Sequence, residues 1–404
     1  MQQVLYKLPD GWSWRKLSEL AKTTSGGTPS RSNKDYWGGS IPWVKSGELG
    51  DSRVEKNEEF ITELGLKNSS AKLFPKESLL LALYGATAGK LGVLTYDAAT
   101  NQAVCCINQD DQLLARDFLR YYLLSQRKKI IEDSFGGAQP NISQAYVREI
   151  DIPTPPLTEQ KRIVEKLDAL LTRIDTAIEH LQESVILKNS LIQSALDGQF
   201  SDITDRMTIE SLAEVKGGKR LPKGEKLSDE ETEHPYIRVA DFTDKGTIDL
   251  SGIKYISKEI HEQLKRYVIF RDDLYISIAG TIGKTGFVPP ELDGANLTEN
   301  AAKLVIKDKK QLDLSYLYLF TLTSDFSAQA GLATKTVAQP KLALTRLSKI
   351  EIPMCFLEEQ KALVSAIEAL KRKIHDAEEV LLGKIEDLKN LKASILDSAF
   401  KGEL

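Results

Sequence analysis

Few residues of this 404-residue chain have both the type and the spacing for chemistry. Gly85-Ala-Thr-Ala-Gly-Lys90 comes nearest to a phosphate-binding loop. Such a loop needs four residues between its first glycine and the Gly-Lys pair, then Ser or Thr. Here three residues intervene and Leu91 follows, while Gly280-Thr-Ile-Gly-Lys284 has only two. Neither can wrap a triphosphate. Each can be a tight turn between strands, or a turn whose amides and Lys90 or Lys284 touch a nucleic-acid phosphate. Asp293 with Asp308-x-Lys310 offers the residue types of a nuclease, but Asp110-Asp111 in the N-terminal half lacks the matching lysine. No Asn-Pro-Pro-Tyr or Asp-Pro-Pro-Tyr tetrad is present for methyl transfer to a base amine. Cys105, Cys106 and Cys355 are too few for a disulfide framework or a four-ligand zinc site. Cys105 and Cys106 lie in a strand-like apolar run, as packing residues do. The four histidines are not at chelating spacing, and His180 and His375 fall on helical surfaces.

What remains is the side-chain set of a base reader. Arg and Lys pair with guanine, and Asn and Gln with adenine, through bidentate hydrogen bonds in the major groove. Polar candidates cluster at turns: Lys45 and Ser46, Thr87 and Lys90, Asn101 and Gln102, Gln139 and Asn141. The second half offers Arg238, Thr281, Lys284, Asn300, Gln339 and Lys341 at comparable places.

Composition fits a soluble globular chain, with 41% apolar and 28% charged residues. No apolar run reaches membrane-spanning length, and the start lacks the apolar core of a secretory signal, so a reducing cytoplasm is expected. The net charge of −4 argues against sequence-blind nucleic-acid binding. It is unevenly spread: residues 1–150 carry net +2, 151–200 net −3, 201–350 zero and 351–404 net −3.

The elements that must position the candidates come in duplicate. Between 150–181 and 350–381, 14 of 32 positions are identical, where chance gives roughly two. Fainter echoes link Lys16-Leu-Ser-Glu-Leu-Ala21 to Thr208-Ile-Glu-Ser-Leu-Ala213, Pro42-Trp-Val-Lys45 to Pro235-Tyr-Ile-Arg238, and Ala138-Gln-Pro140 to Ala338-Gln-Pro340. The expected organisation is block 1–150, helix 151–200, block 201–350, helix 351–404. The blocks read as α/β, with strands over 78–84 and 273–278 and short helices over 118–124 and 316–322.

In the first helical unit, Ile163, Leu167, Leu170, Ile174, Ala177 and Leu181 recur at a 4-3-4-3-4 spacing, repeated by Leu363, Ile367, Leu370, Ile374, Ala377 and Leu381. That is a coiled-coil seam. The helices either pair with each other, which the narrow stripe favours, or seal their neighbouring blocks. Thr158 is the expected N-cap, with Glu159 favouring the positive helix end. Gly198 and Gly402 are the expected terminators. The helix ends match at an offset of 204 rather than 200, so the second helix is expected to be one turn, about 6 Å, longer, in rods of roughly 60 Å.

Taken together, the chain resembles a type I restriction-modification specificity subunit. The resemblance spans essentially the whole length. It rests on Leu8-Pro-Asp-Gly-Trp12 followed by Lys16-Leu-Ser-Glu-Leu20, on Ile152-Pro-x-Pro-Pro-Leu-x-Glu-Gln160, on the Gly-Thr-Ile-Gly-Lys turn at 280–284, and on Ala195–Gly198 and Ala399–Gly402. Copy two departs from the pattern, with Met354-Cys355-Phe356 where prolines are usual. The resemblance implies an α+β chain: two α/β target-recognition domains separated by two long antiparallel coiled-coil helices, with an internal pseudo-twofold. It further implies that each domain reads one half of a bipartite double-stranded DNA target. The helices would set the spacer and dock two modification (methyltransferase) subunits, which two restriction (motor and nuclease) subunits join. S-adenosylmethionine, ATP and Mg2+ are then expected on those partners, with no cofactor, metal or catalytic residue on this chain. The competing readings are a helical scaffold or adaptor that binds proteins rather than DNA, and an enzyme, either a nucleotidase or a nuclease, acting alone.

Overall fold

The computed structural model describes residues 5–133, 141–331 and 341–404. It divides into two compact units: Met1–Leu181 with Gly383–Leu404, and Gln182–Leu382.

In the first unit, a five-stranded sheet runs in the order Ala21–Ser25, Val104–Gln109, Leu79–Ala82, Leu91–Leu94, Arg53–Val54. All junctions are antiparallel except the last. A four-stranded sheet runs Glu59–Ile61, Trp37–Val44, Ala98–Thr100, Leu73–Phe74, with a parallel central pair. Strand Leu79–Ala82 is apolar throughout because both its faces are covered. Leu79 and Leu81 pack on the helix Arg116–Ser125 through Phe118, Leu119 and Tyr122. Leu80 and Ala82 pack on Val44, Phe74 and Ala98 of the second sheet.

The second unit repeats this plan. Ala213–Gly217, Ala301–Ile306, Leu274–Ser277 and Thr285–Phe287 form one antiparallel sheet. Lys254–Tyr255, Pro235–Ile237, Ala295–Leu297 and Val268–Ile269 form the other, again with a parallel centre. In each unit a two-stranded ribbon joins the two ends of the block: Ser13–Lys16 with Asp151–Thr154, and Arg206–Thr208 with Glu351–Pro353.

Two helices of 45 residues each, Leu157–Ser201 and Leu357–Lys401, follow those ribbons. Within each unit they run antiparallel. In the first, Arg162 donates to the Leu404 carbonyl (2.7 Å) and Lys392 to Asp175 (2.6 Å); in the second, Lys188 pairs with Glu378. Both sequence alternatives therefore hold, since the helices pair and also seal their blocks. Ile163, Leu167, Leu171 and Ile174 share a core with Leu119, Tyr122, Leu396 and Phe400. That shared burial moves the stripe. Leu171 is buried and Leu170 is 37% exposed, because a helix packed on a sheet-and-helix core needs a broader face than a two-helix seam.

Three further details depart from the sequence reading. Thr158 lies inside the first turn, and the Pro156 carbonyl receives the Glu159 and Gln160 amides instead. Gly198 is absorbed into a helix that continues to Ser201, so the two helices have equal length and the extra turn is absent. Gly402, at φ +79°, does terminate its helix, in the left-handed conformation glycine tolerates.

The glutamine of each Glu-Gln pair is fully buried, and it clamps helix to block. Gln160 accepts from the Ala115 amide (2.7 Å) and donates to the carbonyls of Leu113 (3.0 Å) and Pro155 (2.9 Å). Gln360 does the same with the Asp313 amide (2.9 Å) and the carbonyls of Gln311 (2.9 Å) and Cys355 (3.0 Å). Gln160→Met keeps the volume but leaves three backbone groups unsatisfied. It should lower unfolding free energy by about 2–5 kcal/mol, read as a lower urea midpoint; an unchanged midpoint would contradict the clamp.

Candidate nucleic-acid interface

The parallel strand pair at the centre of each four-stranded sheet decides where the candidate residues meet. In the first unit, Trp37–Val44 and Ala98–Thr100 end side by side, and the Asn101 amide donates to the Val44 carbonyl (3.1 Å). Leu83 then bonds Ala103 (2.7 Å), and Ile142 bonds Leu83 (2.7 Å). These joints gather Lys45, Asn101, Gln102, the 85–90 turn and Asn141 at one end of the sheets. In the second unit Thr298 bonds Ile237 (3.1 Å), Ile278 bonds Asn300 (2.8 Å), and Leu342 bonds Ile278 (2.8 Å). Arg238, Asn300, Lys341 and the 280–284 turn converge in the same way. Gln139 and Gln339 lie outside the described residues.

The joints also correct the residue matching between halves. Thr298, not Asn300, stands at the place of Asn101, and Glu299 at that of Gln102. Asn300 corresponds to Ala103.

The glycine turns prove to be strand connections, and the later amides of each are consumed within it. Ala88, Gly89 and Lys90 donate to Gly85, Ala82 and Thr87. Gly283 donates to the Ser277 carbonyl, and Lys284 to the Ser277 hydroxyl (2.8 Å). Gly85, Gly89, Gly280 and Gly283 all have positive φ. Lys284 is already engaged by Asp244 (2.7 Å) and the Phe242 carbonyl (3.3 Å). Lys90 has no ion pair among the described residues. Thr87, half-buried, and Thr281, exposed, stand on the two turns, and Ser46 opens a short turn after Lys45.

Other candidate cations are held internally. Lys45 pairs with Glu58 (2.6 Å) and Glu59 (3.2 Å), and these hydrogen bonds hold its ammonium above the ordinary value. Arg238 pairs with Asp241 and donates to the Gly252 carbonyl (2.7 Å). Lys341 donates to the Glu299 carbonyl (2.7 Å). The Asn101 side-chain oxygen is buried without a hydrogen-bond partner among the described residues.

Sequence reasoning missed the loops that follow the strands Ala21–Ser25 and Ala213–Gly217. Gly26 and Gly218 pass so close to the neighbouring strand that a Cβ at either would fall 2.1 Å from Thr100 Oγ1 or the Thr298 carbonyl. In the first loop the Arg31 guanidinium lies 3.7 Å over Trp37 and pairs with Glu59. In the second, Arg220 and Lys223 border a cleft of about 600 Å³ shared with Tyr236, Arg238, Glu299 and Asn300. The only visible signals were the Gly-Gly pairs, at Gly26-Gly27 and Gly217-Gly218, each followed within a few residues by arginine.

The catalytic readings find no support in the geometry. Burial pushes the Cys105 thiol up to about 12 and the Cys106 thiol up to about 11. Asp308 closes a local turn by accepting from the Lys310 amide, and Asp293 accepts from the Arg271 amide, 22 residues earlier in the chain. Among the described residues, no group of three or more His, Cys, Asp or Glu side chains could hold a metal ion. None of the described helices is long and apolar enough to cross a membrane.

Two like sheet-end platforms carrying polar side chains, each clamped to a long helix, define a duplicated recognition protein. The family model described as the type I restriction modification DNA specificity domain matches residues 9–186 and again 204–386, and the chain belongs to that family. It is 26% identical over 335 residues to the type I restriction enzyme EcoBI specificity subunit of Escherichia coli, covering 76% of this chain and 69% of that one. Its identity to the Escherichia coli EcoKI specificity subunit is 23% over 438 residues, covering 98% and 90%. A chain solved in a study of complex assembly and conformational transition of the type I R-M system shares the fold, with a TM-score of 0.73 at 20% identity over 99% of this chain and 100% of that one.

If Lys90 meets a phosphate, Lys90→Ala should reduce the slope of log affinity against log salt by about 1 with the preferred sequence unchanged. Lys284→Ala should reduce it less, because Asp244 already offsets that charge. Equilibrium binding by the assembled complex across a salt series measures both.

Proposed function

We propose that this chain supplies DNA sequence specificity to a type I restriction-modification complex. Residues 1–150 and 201–350 act as two target-recognition domains, each reading one half of a bipartite duplex target. Residues 151–200 and 351–404 act as helical spacers that set the gap between half-sites and dock two modification subunits. Two restriction subunits complete the assembly. The chain itself is non-catalytic. Adenine methylation and ATP-dependent cleavage belong to the partners, which bind S-adenosylmethionine, ATP and Mg2+.

The observation that carries this reading is the repeated platform. The same backbone joints occur in both units and present different polar side chains, as two unlike half-sites require. A scaffold binding only proteins would have no need for a fixed frame with exchanged hydrogen-bonding groups at its rim. The contact residues are proposed as Lys45, Ser46, Thr87, Lys90, Asn101, Gln102, Gln139 and Asn141 in one half. In the other they are Arg238, Thr281, Lys284, Asn300, Gln339 and Lys341.

Mapping methylated adenines in cells with and without the chain should yield a two-part motif that disappears with the chain. Exchanging residues 1–150 for a homologous block should change one half of that motif; a change in both halves would refute separate reading. Deleting Gly383–Glu386, about one helical turn, should alter the spacer or abolish assembly, and an unchanged spacer in an active complex would refute the ruler.

A further inference from the structure

The two units share one more joint, and its chemistry differs between them. In the first unit, Gly26 and Gly27 donate to the carbonyls of Val104 (3.1 Å) and Thr100 (2.8 Å), and the Trp43 indole donates to the Gly27 carbonyl (3.0 Å). In the second, Gly218 and Lys219 donate to Ala301 (2.9 Å) and Leu297 (2.9 Å), and the Tyr236 hydroxyl donates to the Lys219 carbonyl (2.7 Å). The next residue is therefore fixed at an equivalent place in both: Thr28 in one, Arg220 in the other. Each reaches the same partner position. The Thr28 hydroxyl donates to the Gln102 side-chain oxygen, and Arg220 Nε donates to Glu299 Oε1 (2.6 Å). One frame thus holds a neutral Thr–Gln pair in the first unit and an Arg–Glu pair in the second.

The Arg–Glu pair is built to present a planar fork. The Arg220 side chain is 79% exposed at the lip of the cleft, while Glu299 is mostly covered. Burial alone would raise the Glu299 carboxyl, but hydrogen bonds from Arg220, its own backbone amide and Thr298 hold it below the ordinary carboxylate value. Thr298 fixes its second oxygen (2.9 Å). The carboxylate occupies only Nε of the arginine. Nη1 and Nη2 have no hydrogen-bond partner among the described residues, on a side chain that is largely exposed. An arginine neutralised by a carboxylate has lost much of its attraction for phosphate, but its fork stays oriented for the paired acceptors O6 and N7 of guanine. In the Thr–Gln pair, threonine holds one lone pair of the amide oxygen. The other lone pair and the amide nitrogen remain, which match N6 and N7 of adenine.

We propose that Arg220–Glu299 and Thr28–Gln102 are equivalent specificity-determining pairs, the first reading a guanine in one half-site and the second an adenine in the other. This rests on the DNA-reading role proposed above.

The test uses the full chain assembled with its modification subunits, selecting from a random-sequence duplex pool. Arg220→Thr with Glu299→Gln transplants the first pair into the second unit. It should reduce the preference for guanine at one position of one half-site by about 10- to 100-fold, with every other position unchanged. Thr28→Arg with Gln102→Glu should replace one adenine by guanine in the other half-site. Arg220→Lys keeps the charge and a donor but loses the planar fork, so it should weaken the guanine preference while the salt dependence stays as in the wild type. Unchanged half-sites in properly assembled variants would overturn the assignment. So would uniform weakening with a shallower salt slope, which would mark a phosphate contact. If the wild-type complex itself selects no sequence, the DNA-reading role fails, and the pair assignment fails with it.

Discussion

Everything in this molecule depends on how firmly each recognition block is joined to the helix that leaves it. The joint is a buried amide. Gln160 and Gln360 each satisfy three backbone groups that would otherwise be stranded in an apolar setting. A buried backbone group without a partner is costly, so the clamp has a narrow set of acceptable geometries. An apolar side chain of equal size would fill the space but would not fix an angle. Aromatic packing completes the joint. Phe400 meets Phe118 and Tyr122 edge-on in one unit, and Phe200 meets Tyr316 and Phe320 in the other. The proposed ruler role would require a rigid connection of this kind.

Against that constancy, the rims vary. The backbone joints near Asn101 and Thr298 are the same bond for bond, yet Gln102 is answered by Glu299 and Thr28 by Arg220. Divergence is tolerated there because the shared joints are made by backbone groups, so a change of side chain leaves the sheets untouched. Gly26 and Gly218 are on the other side of that boundary. The neighbouring strand leaves no room for a Cβ, so the loop's path cannot drift while its side chains do.

The duplication, the α/β blocks and the two long helices were legible because each is local or repeated. The helical details were less so. A heptad reading chose Leu170 over Leu171 because it weighed a partner helix and not a sheet-backed core. Gly198 looked like a terminator because sequence does not reveal that Phe200, two residues on, is anchored in the second unit's core and carries the helix past it. The Glu-Gln motif was visible as a pattern, but its work was not, since Leu113 and Ala115 lie more than 40 residues away. The Thr28–Gln102 and Arg220–Glu299 pairs, 74 and 79 residues apart, were invisible. They depend on the register of a parallel strand pair, which composition does not encode.

The chain's path also imposes an order of events on its own synthesis. The first unit includes Gly383–Leu404, so the core around Phe118 and Tyr122 stays open until Phe400 has been added. The second unit draws only on Gln182–Leu382 and can close earlier. The block translated first is therefore the last to be finished, and a ribosome that stalls before Leu396 leaves the N-terminal core without Leu396, Ala399 and Phe400.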